Sequence, residues 1–151
     1  MNNTELKEAL LQIAPALTID EAAEWLTVEI ESSAWLPFAQ SLWNRNDLHF
    51  DFLFCITCVD WKTHLSMVYH LSSYTHGHIL VVKSKLDRTN PEIESVTSIW
   101  KTADFHERES YDLFGVKFLH HPDLRRLFLT DEWVGWPLRK DYDDPVNMIK
   151  L

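Results

Sequence analysis

The stretch HFDFLFCITCVDWKTHLSMVYHLSSYTHGHILVVKSKL, residues 49–86, determines the architecture. It contains three runs rich in aromatic and β-branched residues, HFDFLFCITCVDW, HLSMVYHLSS and GHILVVKSKL. Such residues pack well on a pleated, half-buried surface, so each run reads as a strand. The short connections imply an antiparallel meander, because a parallel return needs a long crossover. His76 and His78 flank Gly77, and these residues suit a hairpin tip better than a metal site. Cys55 and Cys58 lie within the first run, where positions i and i+3 point to opposite faces. They read as two reduced structural cysteines, since a closed zinc or iron–sulfur site requires further ligands at matching spacing.

On the N-terminal side, residues 4–13 place Leu6, Leu10 and Ile13 on one face of a short amphipathic helix. ALTIDE and WLTVEI read as two short strands or as a strand and a turn, and SSAWLPFAQSLWN as a second helix with Ser33 as its cap. On the C-terminal side, NPEIESVTSIWKTADFHERESYDLF, residues 90–114, returns to helical spacing. Strands and helices do not alternate regularly. The expected class is therefore α+β, with helices packed on one face of a largely antiparallel sheet of about five strands. Residues 1–115 make up that domain, and residues 116–151 form an extended, irregular C-terminal arm.

Composition excludes several functions. The net charge of −9 argues against nucleic acid and against direct binding to anionic lipid, so any membrane association is indirect. No stretch approaches the ~20 apolar residues of a spanning helix, and the N-terminus lacks a secretory pattern, which reads as a soluble, intracellular protein. Gly77, Gly115 and Gly135 lie too far apart for a phosphate loop or a dinucleotide fingerprint. Neither a G-x-S-x-G elbow nor an H-E-x-x-H helix is present.

HERESYDLFGV, residues 106–116, poses a sharper question. At 100° per residue, Ala103, Glu107, Tyr111 and Phe114 share one stripe, with Glu107 in its middle and Gly115 placed to stop the helix. Two readings compete. If the helix breaks before Asp104, Glu107 can complete a capping box. Alternatively Glu107 is buried beside a basic residue, since a desolvated carboxylate costs several kcal/mol unless paired. The segment that follows, through Leu151, is irregular yet carries Trp133, Trp136 and the pair Arg125 and Arg126. Long irregular segments are commonly functional or disordered, and disordered ones are poor in aromatics. An arm that wraps a partner is one reading; a tail packed on its own domain is the other.

HERESYDLFGVKFLHHPDLRRLFL followed by WVGWPLRKDY resembles the 30 kDa subunit family of respiratory complex I, the family of the C subunit of bacterial NADH-quinone oxidoreductase. The matching positions include Glu107, Arg108, Glu109, Asp112, Gly115, Arg125, Arg126, Gly135, Arg139 and Lys140. Lys101 and Asp143 depart from it, standing where the family commonly has proline. The resemblance implies a subunit of the hydrophilic arm with no redox centre of its own, flavin and iron–sulfur clusters being held by partner subunits. Its implied partners are the large quinone-site subunit and the subunit of the last iron–sulfur cluster. Its implied place is peripheral, on the cytoplasmic face of the inner membrane. Glu107 is then expected to pair with an arginine. Arg125 and Arg126 are expected as that partner or as interface contacts, with Trp133, Trp136 and Arg139 as anchors of the arm. Two alternatives are an equivalent subunit of a membrane-bound hydrogenase or ferredoxin-dependent quinone reductase, and a self-sufficient enzyme built on His106, His120, His121 and Glu107.

Overall fold

The structure is a computed structural model and describes residues 2–148. Helix α1 (Asn3–Ile13) starts at Asn2, whose side chain accepts from the Glu5 amide while Glu5 accepts from the Asn2 amide. This capping box satisfies two of the free donors of the first turn. Strands β1 (Thr18–Asp20) and β2 (Thr27–Glu29) form an antiparallel pair. A 3-10 turn at Ser32–Ala34 leads into α2 (Trp35–Asn44). Ser33 sits inside that turn and not at the cap expected for it. Strands β3 (Phe52–Asp60), β4 (Leu65–Ser72) and β5 (Ile79–Leu86) form the meander.

The five strands lie in the order β1-β2-β5-β4-β3, and only β2–β5 is parallel, joined by the crossover through α2, β3 and β4. Cross-strand rows make the inner face apolar: Leu53, Leu71 and Leu80 form one row, and Ile56, Tyr69, Val82 and Val28 the next. Leu6 and Leu10 of α1 and Trp35, Phe38 and Leu42 of α2 belong to the same buried cluster. Trp35 stacks on Tyr69 at 4.3 Å between ring centroids. The α+β class with a five-stranded, mostly antiparallel sheet is thus as expected.

The segment before the third helix is not. Residues 90–102 carry a strand, β6 (Glu92–Glu94), and turns, and the helix α3 spans only Ala103–Phe114. Ile93 and Val96 are buried in the core, while the hydroxyls of Ser95 and Thr97 bond each other at 2.9 Å and the Thr97 amide donates to Ser95 Oγ. Local bonds of this kind compete with helix propagation. Strand β6 pairs in parallel with β7 (Lys117–Leu119) as a separate two-stranded sheet. The first residues of the expected arm therefore belong to a sheet.

Helix α3 lies along β3, the edge strand, where Thr102 Oγ1 donates to the Leu53 carbonyl and Trp100 Nε1 to that of Phe50. Gly115 ends the helix at φ 75°, a left-handed conformation that a side chain strains. A Cβ there would also stand 2.5 Å from the Trp136 ring. Gly115 thus stops the helix and admits the indole.

Candidate functional site at helix α3

Both acidic residues of the α3 stripe and its flank, Glu107 and Asp112, have no exposed surface. Glu107 has no arginine beside it, which corrects the expected ion pair. Its Oε1 accepts from the Val96 amide at 2.8 Å, and Oε2 lies 2.6 Å from Ser95 Oγ. Neither is the capping box present, for α3 begins after Thr102 with no side-chain cap. His121 faces Glu107 from the loop after β7, its Nε2 3.8 Å from Oε2. The His121 ring is fully buried and its Nδ1 accepts the Asp123 amide, which leaves the proton of a neutral ring on Nε2. That nitrogen meets the Asp104 carbonyl at 3.3 Å. Desolvation pushes the Glu107 carboxyl up to about 7, against the Ser95 and Val96 bonds, and the nearby Asp104 raises it further. Glu107 is a carboxyl poised near neutrality.

Asp112 is the acid that carries the arginine. Its Oδ1 accepts from Arg126 Nη1 at 3.1 Å, and its Oδ2 from three consecutive amides, Leu127, Phe128 and Leu129, at 3.1, 2.6 and 3.1 Å. Burial pulls this carboxyl up, but the amides and the guanidinium outweigh it and hold it below its ordinary value. Arg126 also donates to the carbonyls of Asp112, Trp133 and Gly135, and its guanidinium lies 4.6 Å over the Trp136 ring. One arginine thus ties α3 to three points of the following segment.

The other residues singled out from the sequence divide between inside and outside. Arg108 is buried and donates to the carbonyls of Arg125 and Arg126. The Arg125 side chain is exposed and pairs with Asp123. Glu109 is half-buried and faces Cys55 electrostatically. Trp136 is half-buried against Tyr111, and Arg139 donates to the Phe114 carbonyl at 2.6 Å, at the negative end of α3. The Trp133 indole nitrogen is buried without a hydrogen-bond partner. Lys140 contributes its amide to Asp60 Oδ2 at 2.8 Å while its side chain stays exposed. The segment from Val116 to Asp141 thus packs on its own domain; residues 149–151 lie outside the described residues.

Sequence reasoning missed Asp60 and Arg88. Arg88 donates to both Asp60 oxygens, at 3.2 and 2.6 Å, and to both Asp141 oxygens, at 3.0 and 2.9 Å. Neither residue lies in the C-terminal motif, and the only hint was a charge at the end of each of two strand runs. The histidines do not converge as an enzyme reading requires. His120 bonds Glu94 at the surface, and among the described residues no group of three or more His, Cys, Asp or Glu side chains is placed to hold a metal ion.

The profile of the respiratory-chain NADH dehydrogenase 30 Kd subunit family matches residues 28–146, from β2 through the Arg126-bound segment. The chain belongs to this family. A 109-residue stretch, 71% of the chain, is 49% identical to the C/D subunit of the NADH-quinone oxidoreductase of Phocaeicola vulgatus and covers 21% of that protein. The C subunit of the F(420)H(2) dehydrogenase of Methanosarcina mazei is 45% identical over 66% of the chain and 65% of its own length. The chain thus spans about a fifth of the first relative and about two thirds of the second. A chain from the structure of the membrane-bound sulfane sulfur reductase, an archaeal respiratory membrane complex, superposes with a TM-score of 0.80 at 26% identity, covering 93% of this chain and 85% of that one. Chains similar to this one thus come from complexes whose names differ in the substrate. Among the described residues, no helix is long and apolar enough to cross a membrane.

Proposed function

We propose that this chain is a structural subunit of the hydrophilic arm of an NADH:quinone oxidoreductase of the complex I type. It holds no flavin or iron–sulfur cluster itself, and it sits peripherally at the cytoplasmic face of the membrane. The observation that carries the reading is the Asp112–Arg126 network within the family's signature. It fixes an irregular segment so that Phe128, Val134 and Leu138 stay exposed, 67%, 86% and 53%. Large apolar side chains displayed in series on a rigid backbone suit a protein partner. The partners proposed are the large quinone-site subunit and the subunit of the terminal iron–sulfur cluster. Arg125 and Lys140, with exposed side chains, are the charged contacts at the rim; Arg108, Arg139 and Trp136 support the backbone from behind.

Affinity purification of the tagged chain from native membranes, followed by mass spectrometry, tests this. The expected result is recovery of both partners together with a flavin-bearing NADH-oxidising module. Recovery of no other respiratory subunit overturns the reading. The similarity to the F(420)H(2) dehydrogenase subunit favours a second reading, the same structural role beside a different electron-input module, and the same preparation separates the two. Metal and flavin analysis of the free chain is expected to give neither in stoichiometric amount.

A further inference from the structure

The arm is held at its far end by residues outside the signature. Asp60, at the end of β3, has a side chain only 2% exposed and accepts four hydrogen bonds. Two come from Arg88, one from the Lys62 amide at 2.7 Å and one from the Lys140 amide at 2.8 Å. Arg88, just after β5, spans from Asp60 to Asp141, and its carbonyl accepts Arg139 Nη1 at 3.3 Å. Residues 139–141 are therefore gripped at three successive positions by two residues from the sheet. The side chains of Leu138 and Lys140 remain outward.

We propose that Asp60 and Arg88 are positioning residues that set the register in which residues 137–141 are presented to the partner subunit. They stand at or just beyond strand ends, and besides binding each other and the Lys62 amide they bond Arg139, Lys140 and Asp141 of the arm. A buried carboxylate and a guanidinium that bind one another in a forked geometry also specify orientation, which a hydrophobic contact does not. The arm has no ladder of its own here to fix which residue faces out. The Lys140 amide and the Asp141 carboxylate, two adjacent positions, supply that register.

This inference rests on the docking role proposed above, and the test separates the two. Asp60→Asn, Arg88→Lys and Asp141→Asn are introduced singly into the tagged chain in its native host. Recovery of the large subunit from solubilised membranes is compared with amide exchange of each purified chain. Asp60→Asn is expected to speed exchange at 137–142 about tenfold, as for loss of hydrogen bonds to a charged group, while strands 65–72 and 79–86 keep their protection. Partner recovery should fall in parallel. Arg88→Lys, which keeps the charge but loses the fork, should retain part of that recovery, and Asp141→Asn, at an exposed carboxylate, should lose least. Faster exchange at 137–142 with undiminished partner recovery overturns the inference, as does unchanged exchange. If Asp60→Asn also loosens the strands, Asp141→Asn decides: no change in either readout then overturns it. Failure of the unsubstituted chain to recover partners would instead overturn the docking role itself.

Discussion

Glu107 and Asp112 sit five residues apart on one helix, equally buried, and the protein treats them in opposite ways. Glu107 meets a serine hydroxyl, one amide and a histidine ring. Asp112 meets a guanidinium and three amides. With desolvation the same in sign for both, the count of donors aimed at the carboxylate decides whether it stays ionised. The N-terminal half of α3 is thus built around an acid that can be neutral, and the C-terminal half around a fixed negative charge that organises the arm. The pH consequences are opposed in sign. The stability contributed by Asp112 is present above its unfolded value of 3.8 and is lost as the pH falls through its lower folded value. That contributed by Glu107 is present below 4.5 and is lost as the pH rises through about 7.

The most severe challenge to this contrast is Asp112→Asn. It leaves the largely covered Arg126 side chain without its counter-charge and turns one acceptor of the amide nest into a donor. Removing one member of a buried pair typically costs ~3–5 kcal/mol. Urea unfolding of the free chain is expected to show a loss of that size at pH 7, with a shallower acid limb. A loss no larger than that of Glu107→Gln would remove the distinction between the two halves.

Gly115→Ala probes the C-terminal half without touching a charge. The left-handed backbone and the displaced Trp136 ring together are expected to cost about 2–4 kcal/mol, by the penalties typical of each. Near-UV circular dichroism should change as the indole leaves its place between Gly115, Tyr111 and Arg126. A native spectrum with unchanged unfolding would mean that the arm tolerates being lifted from the helix.

These two halves were unequally legible in the sequence. Burial of Ala103 and Glu107 follows from the 3.6-residue period, and Gly115 is recognisable as a stop because few residues adopt its φ. The partners are not legible. Ser95 and Val96 come from a stretch whose spacing mimics a helix, and the strand there takes its hydrogen-bonded neighbour, β7, from beyond α3. The Arg126–Asp112 pair spans 14 residues of chain with no periodicity, so nothing local told which acid the arginine would choose. Asp60 and Arg88, 28 residues apart, meet because the meander returns the C-terminal ends of β3 and β5 to the same end of the sheet, where residues of the arm bond to both. Elements are written in local patterns, whereas buried polar partners are set by topology.

Glu107→Gln tests the N-terminal half through pH. Glutamine keeps the shape of the neutral acid and removes its titration. The unsubstituted chain should lose about 3 kcal/mol relative to the variant between pH 4.5 and about 7, the free energy that corresponds to the displaced carboxyl. Unfolding curves at several pH values check this. Parallel profiles for the two proteins would show that Glu107 does not titrate in that range.

Glu109→Gln is the smallest change expected and the control for the rest. Glu109 is two residues from Glu107 on the same helix, but it is half-buried, and among the described residues no side-chain hydrogen bond or ion pair holds it. Substitutions of that kind usually stay within about 0.5 kcal/mol. Its pH profile should therefore run parallel to that of the unsubstituted chain. The pairing matters because the chain carries a net charge of −9, and removing any carboxylate relieves some general repulsion. General repulsion acts on both variants alike and is screened by salt, whereas desolvation acts on Glu107 alone and is not. If Glu109→Gln flattened the pH dependence as much as Glu107→Gln, and about 0.5 M salt erased the effect in both, the slope would belong to summed surface charge and not to the buried acid of α3.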